Sequence, residues 1–203
     1  MRVLVFGAGG HAKVVVDAAR CAGLDVVGVI GQADDPASIL GVAVSRDPTG
    51  LEADCFIVAI GDNAARARTF ASCREQGLTP VTVVHPSAVI ATGVEFGPGA
   101  FVAAGVVVNV DARIGANAIL NTGCTVDHDC LVGDHALIGP TASLCGGVEI
   151  GAGALLGAGA SVTPRTRVGA WSVVGAGAAV VNDLPSDSVC VGVPARVVRG
   201  IET

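Results

Sequence analysis

The stretch IGANAILNTGCTVDHDCLVGDHALIGPTASL, Ile114–Leu144, carries a large apolar residue at every sixth position: Ile114, Leu120, Val126, Val132, Ile138 and Leu144. Neither a helix of period 3.6 nor a strand of period 2 gives that spacing. Followed outward, the register holds from Val84, Ile90, Phe96, Val102 and Val108 through to Ile150, Leu156, Val162, Val168, Val174 and Val180, seventeen hexads without a slip. The fourth place after the apolar residue is small or modest, as at Ala100, Ala118, Cys124, Cys130, Ala136, Ala142, Ala154, Ala160 and Ala178, and glycine often follows the apolar residue directly. Such a chain is expected to wind as a solenoid with one flat face per hexad and three faces per coil, the large residue inward and the small one beside it. One coil cannot bury its inner face alone, so seventeen hexads predict a stack of five to six coils, capped at both ends.

The first 83 residues have a different texture. RVLVF (2–6) reads as a buried strand, GAGGHAKVVVDAARCAG as a turn entering a helix that ends at Gly23, DVVGVI as a second strand and CFIVAI (55–60) as a third. A helix over 64–76 and a short strand over 81–84 follow. Alternating β and α segments predict a small parallel sheet, about half of a Rossmann fold. The division expected is therefore 1–83 as a Rossmann-like nucleotide-binding domain, 84–185 as the solenoid, and 186–203, after the break in register at NDLPSDS, as a C-terminal cap.

The formal charge is −6 and no run of Lys or Arg occurs, which argues against nucleic acid and anionic lipid as partners. Apolar residues make up 51% of the chain but are interrupted throughout by glycine and polar residues, so no membrane span is expected and a cytoplasmic protein is. The seven cysteines form no CxxC pair and read as small buried hydrophobes.

Three motifs carry candidate chemistry. GAGGHA, 7–12, follows the first strand and opens a helix, so its glycines and the free N–H groups of the helix N-terminus suit a phosphate. Gly31 and Gln32 stand where a dinucleotide fold places its ribose-binding acid, which argues against NAD and leaves a mononucleotide or nucleotide-sugar. GDN, 61–63, lies after a strand's C-terminal end, where ligands of open parallel sheets sit; Asp62 or Asn63 equally suits a helix N-cap.

His128 and His135 fall on outward corner positions of the solenoid. Eighteen residues on from His128 is Gly146, so a bare glycine and its amide stack beside the imidazole. An imidazole titrating near neutrality can take a proton from an attacking amine or hydroxyl, either Asp127 or Asp129 can fix its tautomer, and the Gly146 N–H can receive the negative charge of an attacked thioester carbonyl. No serine or cysteine is paired with His128 in a motif, so neither a covalent intermediate nor a metal is expected.

GAGGHAKVV at the start, AIGDN at 59–63, NTGCTVDHDC at 121–130 and GVPARVV near the end together resemble, over nearly the full length, sugar acyltransferases of the left-handed β-helix superfamily. The nearest in appearance are the sialic-acid O-acetyltransferase-like proteins and the N-acetyltransferases of nucleotide-linked 4-amino-sugars. The resemblance implies an α/β half-Rossmann domain followed by a left-handed parallel β-helix of hexapeptide repeats, acetyl-CoA as co-substrate, and a homotrimer with acetyl-CoA in a groove between neighbouring β-helices. It also implies His128 as general base with Asp129 beside it, Asn121 lining the acceptor site and Gly146 contacting the thioester. Gly9, Gly10 and His11 would form the nucleotide-sugar loop, with Asp62 and Asn63 as its second loop. In two places the chain departs from the family pattern: Leu137 stands where relatives often carry a second histidine, and Gly31 and Gln32 where they often carry acids. The function expected is acetyl transfer to the 4-amino group of a nucleotide-linked amino-sugar. The rivals are O-acetylation of a sugar such as sialic acid, and a non-catalytic nucleotide-sugar-binding scaffold.

Overall fold

A computed structural model describes residues 1–201. β1 (Arg2–Phe6), β2 (Asp25–Ile30), β4 (Val42–Ser45) and β5 (Cys55–Val58) form a parallel sheet in the order β4-β2-β1-β5, with β3 (Ser38–Ile39) antiparallel on the outside of β4. The strands between them are continuous apolar runs because both faces are covered. α1 (Gly10–Cys21) buries Ala12, Val15, Val16, Ala18 and Ala19, one apolar stripe at helical spacing. α2 (Asn63–Glu75) has no such stripe, and what it buries includes polar residues. The hairpin β3–β4 was not expected from sequence, since 31–54 has no periodicity of its own.

The chain leaves this sheet through Pro80, which bridges to Phe56, and enters the solenoid at β6 (Val83–Val84). From there, seventeen two-residue strands follow to β22 (Ala179–Val180), each holding the inward residue of a hexad. Register is fixed at eighteen residues per coil, Thr125 pairing with Ser143 and Ser143 with Ser161. Three parallel sheets result, and it is useful to name them by the order in which a coil visits them. The first face runs from β7 (Val89–Ile90) to β22, the second from β8 (Glu95–Phe96) to β20 (Arg167–Val168), and the third from β6 to β21 (Val173–Val174). The predicted inward residues are buried from Val102 onward, and so are the predicted small ones. On the third face the chain continues into β23 (Ser188–Val191), parallel to β21, and β24 (Arg196–Gly200), which turns back antiparallel and closes the stack.

Corner chemistry follows from the turns. The fourth residue of most hexads is left-handed, as at Asp111, Asn117, Asp129, His135, Gly147 and Gly153, which is why Gly, Asn and Asp recur there. At Gly133, after a second-face strand, a Cβ would lie 2.6 Å from the Ala152 amide of the next coil, so nested coils leave room only for glycine.

Candidate active site

The open end of the parallel sheet forms the first half of the site. A cavity of about 490 Å³ lies over the C-terminal ends of β1, β2 and β5, where the strand order reverses, lined by Gly9, Gly10, His11, Asp35, Arg46 and Gly61 among others. Gly7, at φ 112°, lets β1 turn against β5, since a Cβ there would meet the Ala59 carbonyl at 2.7 Å. α1 then begins with Gly9 as N-cap, without a side-chain cap and without an acid in its first turn, which leaves N–H groups for an anion. His11 packs edge-on against Phe101 of the third face, ring centroids 5.3 Å apart. Burial, and secondarily the charge of Arg66, push its pKa down to about 4, so it is neutral at physiological pH. Its buried Nε2 has no partner among the described residues.

The other expected cavity residues are occupied elsewhere. Asp62 is the N-cap of α2, its carboxylate accepting from the Ala65 amide at 2.7 Å. Asn63 is buried and its Nδ2 donates to the Gly153 and Ala154 carbonyls of the solenoid, 2.9 and 3.1 Å away. Ala59, Ile60 and Gly61 line the cavity in their place. Two further lining residues, Asp35 and Arg46, were given no role from the sequence, although Asp35 stands only a few residues beyond Gly31 and Gln32. Asp35 folds back so that its carboxylate accepts from the Gln32 amide at 2.6 Å, which gives the cavity a carboxylate although Gly31 and Gln32 follow directly on β2.

The second half lies on the first corner of the solenoid, between β13 (Thr125–Val126) and β14 (Leu131–Val132). The coil ladder takes the amides of Asp127, Asp129 and Leu131 and skips that of His128, which donates to Asp127 Oδ1 at 2.8 Å. Asp127 Oδ1 also accepts from Asn109 Nδ2 at 2.8 Å, so this acid braces the turn. Asp129, left-handed at φ 58°, curls back so that its Oδ2 lies 2.7 Å from His128 Nδ1. Of the two flanking acids, then, Asp129 pairs with the ring. The hydrogen bond to Asp129, with help from the charge of Asp127, raises the His128 pKa above its ordinary value. The ring is 55% exposed, and its Nε2 edge lies over Gly146, where a Cβ would be 2.5 Å from both Cε1 and Nε2. Cys145 and Gly147 give their amides to the ladder, while the Gly146 amide donates to no acceptor among the described residues. The corner thus presents an imidazole oriented by a carboxylate, a free N–H beside it, and solvent in front.

The remaining expected residues fall elsewhere. Asn121 stands on the third corner, directly after a third-face strand, with its Oδ1 accepting from the Thr122 amide at 2.8 Å. His135 is not a free outward residue: it is half-buried on the second corner, its ring 5.8 Å from that of Phe70 and its Nδ1 2.9 Å from Asn117 Nδ2. The N-terminal domain docks on that corner, and this is what covers His135. The cavity therefore opens beside the second corner and third face, while His128 occupies the first corner of the same chain.

Residues 2–73 match the PglD N-terminal domain family, and residues 129–164 the bacterial transferase hexapeptide (six repeats) family. No curated protein matches the chain. Among solved structures, a histidine-to-asparagine variant of perosamine N-acetyltransferase from Caulobacter crescentus, in complex with CoA and GDP-perosamine, is 41% identical with TM-score 0.93, covering 97% of this chain and 96% of that one. The acetyltransferase domain of PglB from Neisseria gonorrhoeae, in complex with acetyl coenzyme A, is 32% identical with TM-score 0.88, covering 97% and 98%. WeeI from Acinetobacter baumannii is 25% identical with TM-score 0.90, covering 98% and 100%. Fold, hexads and full-length similarity agree, and the chain belongs to the nucleotide amino-sugar acetyltransferases of the hexapeptide family.

Proposed function

We propose that the protein transfers the acetyl group of acetyl-CoA to the 4-amino group of a nucleotide-linked amino-sugar, with His128 as general base. The observation that carries this reading is the His128–Asp129 pair at 2.7 Å with the unpaired Gly146 amide on the ring's other edge. Asp129 accepts from Nδ1–H, which leaves the Nε2 lone pair for the substrate. As the amine attacks the acetyl carbonyl, a C–N bond forms, Nε2 takes the amine proton, and the Gly146 N–H donates to the developing oxyanion. Collapse breaks the C–S bond, and the imidazolium returns its proton to the departing CoA thiolate. The products are the acetamido sugar and free CoA. An unpaired amine is a competent nucleophile once deprotonated, so no metal or acyl-enzyme is required.

The nucleotide belongs in the cavity at Gly9, Gly10 and His11, with its phosphates at the start of α1. Asp35 and Arg46 give that cavity one anionic and one cationic group for recognition of the base or sugar. The relatives crystallised with GDP-perosamine and with CoA support both ligand classes. Because the cavity and His128 sit on different corners, a single chain holds the two halves apart. Packing the first corner of one copy against a neighbour would give His128 a second wall, and Asn121 on the third corner would come from that neighbour. This supports a homotrimer as the working unit.

Thiol release from acetyl-CoA against UDP-, GDP- and dTDP-linked 4-amino-sugars, and against free and CMP-linked sialic acid, tests the reading beside His128→Ala. Turnover of an amino-sugar that is lost in the variant is expected. Turnover of sialic acid alone would replace it with O-acetylation, and activity retained in His128→Ala would remove the base assignment.

A further inference from the structure

Arg66 is an unusual cation: its residue is 0% exposed, and it makes no ion pair among the described residues. Its five N–H donors are all taken by main-chain carbonyls. Nη1 donates to Ile60 and Gly61 at 3.1 and 3.3 Å, Nε to Asn117 at 3.1 Å, and Nη2 to His135 and Ala136 at 2.6 and 3.4 Å. Asn117 Nδ2 answers by donating to the Arg66 carbonyl at 3.3 Å. The carbonyls of Ile60, Gly61, Asn117 and His135 have no main-chain donor among the described residues, so the guanidinium is what satisfies them.

The two groups of carbonyls belong to different parts of the protein. Ile60 and Gly61 form one wall of the nucleotide cavity; Asn117, His135 and Ala136 belong to two successive coils of the second corner. A planar fork with five fixed donors is the one side chain that can hold both groups at a set distance. A buried cation without a carboxylate is a poor way to gain stability, since desolvation offsets most of what its hydrogen bonds return. Burial lowers its pKa only to about 10, so it stays charged, and that charge is felt at His11 on the far wall of the cavity.

We propose that Arg66 is a positioning residue for substrate: it sets the Ile60–Gly61 wall against the solenoid, and its charge, in direct ion pair with no carboxylate among the described residues, favours a diphosphate in the cavity. The inference rests on the reading that this cavity takes a nucleotide-linked amino-sugar. It predicts that Arg66 acts on one substrate and not on the other, because acetyl-CoA is met at the distant first corner.

Steady-state constants for wild type, Arg66→Lys and Arg66→Met test it, together with calorimetric affinity for GDP and UDP and a thermal melt of each. Arg66→Met is expected to raise KM for the amino-sugar about tenfold or more and to weaken nucleoside diphosphate binding in parallel, with KM for acetyl-CoA within about twofold. Arg66→Lys, which keeps the charge without the fork, is expected to restore diphosphate affinity in part while kcat falls below that of wild type. Both Michaelis constants rising together, or a lower melting temperature with wild-type constants below it, would reduce Arg66 to a structural role and overturn the proposal. If Arg66→Met does not fold, Arg66→Lys alone decides: wild-type KM and kcat there overturn it. A wild-type protein that acetylates no nucleotide-linked amino-sugar overturns the reading of function instead.

Discussion

Gly146→Ala separates the chemistry of the first corner from its stability. A Cβ at this position lies 2.5 Å from Cε1 and Nε2 of His128, against ordinary contact at 3.4–4 Å, so the ring must retreat by about 1 Å. Gly146 is not among the positive-φ glycines, so alanine suits the backbone. The ring it displaces is exposed and can swing toward solvent, so the expected loss of folding stability is only about 0.5 kcal/mol. Catalysis should suffer far more, because a shift of about 1 Å in a reacting group costs on the order of 100-fold in rate, or about 2.7 kcal/mol of barrier. The assay is kcat/KM by thiol release, corrected for protein thiols, alongside a thermal melt. A kcat/KM within about threefold of wild type would refute the idea that the Nε2 edge over Gly146 is where the reaction happens. A large drop in melting temperature would show that the glycine is needed for coil packing instead.

Three more perturbations bear on the same groups. As the proposed base, His128 would act in its neutral form, and its pKa is raised, so kcat/KM should fall with decreasing pH along a limb centred above 6.5; Asp129→Asn removes the first cause of that rise, moving the limb to lower pH and lowering the plateau by about 100-fold. His11 titrates at about 4 when folded and near 6.5 when unfolded, so the unfolded chain binds the extra proton and stability falls as pH drops from 6.5 to 4; about 3 kcal/mol of that acid sensitivity, read by urea unfolding at each pH, should vanish in His11→Gln. Of the seven thiols, Cys21 is exposed while Cys124 is buried and pushed up to about 12, so a thiol reagent under native conditions should label Cys21 first and leave Cys124 until unfolding; mass mapping of the first label checks this.

The solenoid was readable because every hexad repeats the same packing demand, and a repeat reports itself through identity of spacing whatever residue fills it. The position of His128 against Gly146 was readable for the same reason, since stacking at eighteen residues is arithmetic once the period is known. What the repeat does not encode is what covers each corner. His135 and His128 look alike in sequence, yet one lies under Phe70 and Asn117 and the other faces solvent, because the N-terminal domain covers the second corner at His135 and leaves the first corner at His128 open. Arg66 was hidden for a related reason: in NAARARTFASCRE an arginine on a polar helix reads as surface, and Arg68, two residues on, offers no contrast. The one available signal was the lack of an apolar stripe on a helix that still had to dock. Asp62 and Asn63 illustrate a subtler limit, since a residue type suited to a ligand loop is equally suited to starting a helix, and here Asp62 caps while Asn63 turns to the solenoid.

The contacts of α2 with Asn117, His135 and Gly153 reach three consecutive rungs of one edge, each offset from the last by eighteen residues. That makes the solenoid a graduated rod with the N-terminal α/β domain clamped at a fixed mark. Lengthening the rod beyond Trp171 by one whole repeat would leave the clamp and His128 where they are. Moving the three docking rungs together by one repeat along that edge would shift His128 by one rung, about 4.8 Å, relative to a substrate held from the clamp. Acceptors of different reach could in principle be matched to the base by such whole-rung edits alone, with no side chain of either half of the site redesigned.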